Sequence, residues 1–326
     1  MANTSLNTTN AIRQQVYSDY VQETLKDELL PLDFIFDMSG ELSNGDTLNV
    51  PTSGEIQART VSNSLAEDQE MIFDALDTGR ITLTVDTYDY AGWYQSDKLK
   101  EDQYVDVVGM KALDEATRGM KIKFLTNVLA KHNSIQTASN TNASNGVAHR
   151  IVAQGSSAAM SLDDFAYAAY SLNMAHVPQE GRIAVLHPRA ALTFDKAVNA
   201  QGFINNPMFE GMVTQGFRKN MTFIRNIAGF DVYVSEQLPQ LGAETINASS
   251  VGASDASSPA ASVANFFMSV ASDSYKPIMG AWRRRPGLES WEDKDKVDSR
   301  TKYKITARYG LAGHRPTGLV TVLSAR

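Results

Sequence analysis

Cysteine is absent from this 326-residue chain, which excludes disulfides and thiolate metal sites. Histidine is scarce. His132, His149, His176, His187 and His314 are scattered, with no H-E-x-x-H and no pair at i, i+4. Transition-metal binding needs ligands at defined spacing, so a structural role outranks a metal role for each. His187, between a strand and Pro188, reads as a turn residue. No apolar run approaches the length that crosses a bilayer. The first ten residues, Met1 to Asn10, lack the basic cluster and apolar core of a signal peptide. The N-x-S/T triplets at Asn142, Asn220 and Asn247 are therefore chance matches. Chemical motifs are missing too. There is no G-x-S-x-G elbow and no glycine-rich phosphate loop ending in Lys-Ser/Thr. Asp295-Lys296-Val297-Asp298 lacks the glycine and terminal Glu of a calcium loop. The carboxylate pairs Asp163-Asp164 and Glu292-Asp293 read as a helix start and a solvated loop. Positive charge is in short supply, with a net of −7, which argues against a broad grip on nucleic acid.

What is present is a globular composition, 43% hydrophobic and 21% charged, long enough for one large or two modest domains. Residues 1–45 read as an arm. Val16, Tyr20, Leu25 and Leu29 follow roughly helical spacing until Pro31, a helix too short to be stable alone. Residues 46–95 change character. Strand-like Thr47 to Pro51 and alternating Gly79 to Tyr88 flank a polar segment, Ser62 to Thr78, that carries Glu67, Asp68, Glu70, Asp74 and Asp77. This is a β-hairpin, either long and projecting or lying on its parent domain, and pattern alone favours the second.

The longest helical signal runs from about Asp102 to Lys131. Val108, Ala112, Ala116, Met120, Phe124 and Val128 form one i, i+4 row, with Tyr104, Val107, Leu125 and Leu129 widening it. At 1.5 Å per residue such a helix is roughly 45 Å long. Gly109 and Gly119 weaken it or leave room for close packing, and His132-Asn133 reads as its end. A loop follows, with a strand near His149 to Ala153. A helix then starts at Ser161, where Ser161-x-x-Asp164 resembles a capping box. Strands are expected at Ile183 to Leu186, Met221 to Arg225 and Phe230 to Ser235, and a helix near Ala190 to Val198. Residues 240–264, rich in Ala, Ser and Gly, read as a surface loop before strand-like Phe266 to Val270. In the tail, Arg283-Arg284-Arg285 is the one dense basic cluster. With Trp282 and Trp291 nearby, a subunit interface ranks first, a solvated turn second and a phosphate contact third.

Two motifs stand out: Val177-Pro178-Gln179-Glu180-Gly181-Arg182 leading into Ile183 to Pro188, and Gly229-Phe230-Asp231-Val232 leading through Ser235 to Leu238-Pro239. Taken with the arm, the acidic hairpin, the long helix and the C-terminal β segment, they resemble the major capsid protein of tailed bacteriophages. The resemblance spans nearly the whole chain. It implies an α+β fold of the Hong Kong ninety-seven type: residues 1–45 as N-terminal arm, 46–95 as E-loop, 96–159 as P-domain with its spine helix, 160–275 as A-domain and 276–326 as the C-terminal P-domain segment. It also implies self-assembly, as hexamers and pentamers, into an icosahedral shell around double-stranded DNA, with the subunit made in the host cytoplasm. An acidic or mixed inner wall suits that role, because it repels phosphate and lets packed DNA slide.

On that resemblance the partners are other copies of the chain, a scaffolding protein and portal during assembly, and in some relatives a decoration protein. No catalysis, cofactor, metal or membrane is implied. Inter-subunit contact candidates are Asp68, Glu70, Asp74 and Arg80 in the hairpin, and Trp282, Arg283, Arg284, Arg285 and Trp291 in the tail. Some relatives crosslink subunits through a hairpin Lys. Residues 46–97 contain Arg59 and Arg80 but no Lys, so non-covalent contacts are expected. The arm begins at once, without a long assembly domain, which points to a separate scaffolding protein or to a chain already processed, and the initiating Met1 favours the former. The alternative is an encapsulin-like compartment shell. A soluble α+β enzyme is a distant third.

Overall fold

The computed structural model describes residues 34–42, 45–53, 78–102, 107–136, 143–144, 146–193, 223–247, 256–294 and 299–326. The expected arm helix and the acidic hairpin segment lie outside them. In chain order the first elements are β1 (Ile35–Asp37), β2 (Thr47–Ser53), β3 (Thr78–Thr84), β4 (Thr87–Ser96), α1 (Asp97–Asp102), α2 (Val107–Ala130) and α3 (His132–Ile135). Then come β5 (Ala143–Ser144), β6 (Val147–Ala148), β7 (Arg150–Val152), α4 (Leu162–Met174), β8 (Arg182–Leu186), β9 (Phe223–Ile227) and β10 (Phe230–Val234). The last are β11 (Gln240–Leu241), β12 (Thr245–Ile246), β13 (Ala256–Ser257), β14 (Ser262–Ser269), β15 (Ile278–Asp293), β16 (Arg300–Gly313) and β17 (Leu319–Ala325).

One sheet has the order β1-β15-β16-β4, built on the long antiparallel hairpin of β15 and β16. The alternating run expected as one strand from Gly79 to Tyr88 is two strands. β3 pairs with β2, from Thr47 opposite Thr84 to Ser53 opposite Thr78, whereas β4 adds to β16. Leu83 and Val85 bury the base of the β2–β3 hairpin with Leu42, Met279 and Ala281. β16 comes so close there that a Cβ on Gly310 would meet the Thr84 carbonyl oxygen, which only glycine avoids.

α2 covers 24 residues, about 36 Å, and α1 covers six; residues 103–106 lie outside the described ones. Met120, Phe124, Leu125, Val128 and Leu129 are the buried face of α2. Phe124 stacks on Trp282 at 4.5 Å between ring centroids and meets Tyr309 edge-on at 4.8 Å. That aromatic trio clamps the helix to one face of the sheet. Gly119 faces open space, so close packing does not explain it. His132-Asn133 does not end the helical path. The chain continues as α3, held in by buried His132 and Ile135.

A second sheet runs β7-β17-β14-β8-β10-β9, with β11 also on β14. β14 is buried along its whole length, as a central strand covered on both faces must be. β7, within 96–159, and β17, within 276–326, both hydrogen-bond into the sheet of β8, β10 and β14. One continuous apolar core joins this sheet, α2, α4 and the first sheet. The Ala/Ser-rich stretch is not merely a loop. The Glu244 and Ser258 main chains bond at 2.8 Å, the Ser258 hydroxyl accepts from the Glu244 N–H at 2.9 Å, and Ser262 is fully buried. Small side chains allow that close approach, and their hydroxyls satisfy the backbone.

Candidate assembly surfaces

The two sequence motifs are neighbours. β8 and β10 run parallel, with Asp231 opposite Ile183 and Val234 opposite Leu186. At the start of β8, the buried Arg182 guanidinium donates to the Pro178 carbonyl at 2.9 Å, the Val177 carbonyl at 2.7 Å and the Asn173 side-chain oxygen at 2.7 Å. Burial lowers its pKa from the ordinary arginine value. Gly181 adopts φ +62°, and a Cβ there would lie 2.9 Å from the Ala271 main chain. The Val-Pro-x-x-Gly-Arg spacing is therefore a brace between α4 and β8. In the second motif, Ala228 and Gly229 both have positive φ and close the two-residue β9–β10 turn. Phe230 and Val232 point into the core, and the Ser235 hydroxyl accepts from the Gln237 N–H at 3.1 Å. His187 sits at a turn as expected: its N–H donates to the Asn265 side chain at 3.0 Å, and burial leads the causes that lower its pKa.

The first sheet has a covered face and an open one. α2 covers the face carrying Ile305, Ala307 and Tyr309, leaving a mostly apolar cavity of about 320 Å³ between helix and sheet. Tyr309 donates to Asp89 at 2.5 Å and accepts from Asn127 of α2 at 2.7 Å. Burial, then the bond to Asp89, raises the Tyr309 pKa. Residues directly opposite across a ladder share a face. The open face therefore groups Tyr88 with Arg308 and Arg284, Tyr90 with Thr306, and Tyr94 with Lys302 and Trp291. Tyr88, Tyr90 and Tyr94 are 53%, 74% and 59% exposed. Lys304 lies 5.3 Å from the Trp291 ring centroid and pairs with Glu289 at 2.9 Å, while Arg300 lies 4.9 Å from that of Tyr94. This face therefore carries exposed aromatic rings among Lys302, Lys304 and Arg308, with Lys302 paired to Asp293.

The predicted contact residues separate. Asp68, Glu70 and Asp74 fall outside the described residues. Arg80 is exposed on β3, opposite Pro51. Trp291 is on the open face, but Trp282 is turned inward onto Phe124. Arg283, Arg284 and Arg285 lie within β15 at its register shifts, so the solvated-turn reading fails. Arg284 pairs with Glu289, and Arg285 reaches Asp37 at 3.5 Å. The tyrosine row of β4 went unnoticed in the sequence, although the alternation of Tyr88, Tyr90 and Tyr94 was its signal. Among the described residues, no cluster of His, Asp or Glu suits a metal, and no helix is long and apolar enough to cross a membrane.

The family model for phage capsid protein matches residues 80–322. The chain belongs to the phage capsid protein family. Solved capsids agree in fold at low identity. A capsid structure of the cyanophage P-SCSP1u matches with a TM-score of 0.68 at 15% identity, covering 97% of this chain and 94% of that one. A structure from Mycobacterium phage Che8 gives 0.64 at 15% identity, with 98% of both chains covered. The cyanophage Pam1 capsid asymmetric unit gives 0.62 at 13% identity, over 100% and 99%. No protein of curated function matches the sequence. The resemblance in the motifs thus holds. This is a phage major capsid protein, a structural subunit of the virion shell, with the Hong Kong ninety-seven-type α+β fold.

Proposed function

We propose that copies of this capsid protein meet through the open face of the first sheet, which receives the acidic hairpin segment of a neighbour. The carrying observation is the exposed row Tyr88, Tyr90 and Tyr94 beside Lys302, Lys304 and Arg308. Ser62 to Thr78 carries Glu67, Asp68, Glu70, Asp74 and Asp77, no Lys or Arg, and the apolar Leu65, Met71, Ile72, Phe73 and Leu76. The two surfaces are complementary in charge, and each supplies apolar area the other can cover. Repeated through hexamers and pentamers, individually weak contacts close a stable shell. The rest of the reading is that a scaffolding protein and portal guide closure, that a decoration protein can add outside, and that the shell encloses double-stranded DNA without reading its sequence. The arm, the E-loop, the P-domain and the A-domain keep the boundaries given above, and no reaction is assigned to the chain.

The test is charge reversal. Lys302→Glu with Arg308→Glu should leave a subunit with a cooperative melt but sharply reduce particle yield by light scattering and negative-stain imaging. Reversing Asp68 and Asp74 to Lys in the same chain should restore particles. Normal shells from the reversed sheet face, or from a chain lacking Ser62 to Thr78, would remove this contact.

A further inference from the structure

The turn of helix after α2 carries a buried ionisable group with no part in the assembly contact. His132 opens α3 and is fully buried. Its Nδ1 lies 3.3 Å from Nη1 of Arg150, the only ionisable side chain of β7 and itself 1% exposed. Arg150 Nη2 in turn reaches Glu244, just before β12, at 2.5 Å. The guanidinium can only donate, so its contact with His132 requires a neutral ring with Nδ1 as acceptor and the proton on Nε2. That Nε2 is buried with no hydrogen-bond partner. Among the described residues, the remaining walls offer no anion. β14 presents Phe266, its ring centroid 5.6 Å from the imidazole, and β17 presents the Leu319 carbonyl, which accepts from Gln136. Neither strand has an ionisable side chain. The other buried histidine, His149, contacts the Val147 carbonyl through Nδ1 at 3.0 Å. Among the described residues, Glu244 is the one carboxylate at this joint, and it is already engaged by Arg150.

We propose that His132 is an acid-operated latch between the end of the long helix and the seven-stranded sheet. The neutral ring closes the joint by accepting from Arg150. Protonation turns that acceptor into a donor facing a donor and places a second cation beside the first, so the contact breaks and the helix end separates from β7 and β17. Burial first, then the Arg150 charge, hold the imidazole pKa down to about 3, consistent with a ring kept neutral in the closed joint. The direction follows. The open joint binds the proton more readily than the closed one below pH 6.5, so closure is complete above that value and is lost as pH falls toward about 3. Each unit below the ordinary imidazole value multiplies the opening constant by about ten.

Amide hydrogen exchange on the full chain, assembled and unassembled, tests the latch at pH 7, 6, 5 and 4 after correction for intrinsic exchange. Wild type should lose protection over 132–152 and 319–325 by about tenfold per unit as pH falls, ahead of the rest of the sheet. His132→Gln keeps an acceptor for Arg150 and cannot titrate. It should be protected at pH 7 like wild type and lose far less protection at pH 4. An equal loss in His132→Gln would overturn the latch. Should that variant not fold, ring ¹⁵N spectra of wild type decide. A neutral Nε2–H tautomer persisting below pH 5 supports the proposal, and an Nδ1–H tautomer or a titration near 6.5 refutes it.

Discussion

Arg182 and Asn173 join the end of α4 to the start of β8 through one 2.7 Å hydrogen bond, in which Arg182 Nη2 donates to the Asn173 side-chain oxygen. The same nitrogen holds the Val177 carbonyl, and Nε holds that of Pro178, so one buried cation organises the whole connection. This is the physical content of the first motif. Arg182→Met should leave the buried Val177 carbonyl without its donor, at about 1–3 kcal/mol, and remove the part-buried bonds to Pro178 and Asn173 as well. Gly181→Ala should cost about 1–3 kcal/mol through positive φ and the clash with Ala271. Denaturant unfolding of the subunit would check both. A midpoint unchanged in either variant contradicts the brace.

The β9–β10 turn predicts a gain instead. Ala228 adopts φ +51° before Gly229 at φ +84°, a left-handed pair in which alanine is strained and asparagine is preferred. Ala228 is exposed, so nothing else depends on its side chain. Ala228→Asn should stabilise the subunit by about 0.5–1 kcal/mol, read as a higher melting temperature.

The start of α4 predicts a pH dependence. Buried Asp164 accepts from the Gln154 N–H at 2.9 Å, the Ser161 N–H at 2.8 Å and the Ser161 hydroxyl at 2.9 Å. Burial nonetheless raises its pKa, with those hydrogen bonds opposing. A raised carboxyl pKa means the folded state binds the proton more tightly. Its contribution to stability therefore falls as pH rises from the ordinary carboxyl value through the raised one. Ser161→Ala removes one opposing bond and a helix cap. It should cost about 0.5–2 kcal/mol, with a deficit against wild type that widens as pH rises across that window. Melting curves of both proteins between pH 3 and 7 would show a constant gap if this is wrong.

Much of the architecture was legible because it is periodic or punctuated. The i, i+4 row that includes Met120, Phe124 and Val128 needs only helix geometry to form a stripe. Ser161-x-x-Asp164 needs only the backbone of one turn. The motifs at 177–188 and 227–239 were readable as strands for the same reason, and they proved to be paired strands of one sheet. The partners of the candidate contact residues lie far away in the sequence. Arg283, Arg284 and Arg285 looked like a free cluster, yet they have partners as distant in sequence as Asp37 and Leu42. Trp282 looked available, yet its ring is packed on Phe124. The tyrosine row of β4 gains its meaning only when β16 places Lys302 and Arg308 beside it.

By itself, then, the sequence determined the local elements and the family, that of a cysteine-free shell subunit. Only the tertiary structure decided which residues share a face, which cations are already paired, and that β17 lies between β7 and β14 in the seven-stranded sheet rather than in the sheet of β15 and β16. The reason lies in range. Helix periodicity, caps and turns depend on neighbours within a few residues. Strand partnership, burial and the pairing of His132 with Arg150 and of Arg150 with Glu244 depend on which distant segments the whole core brings together.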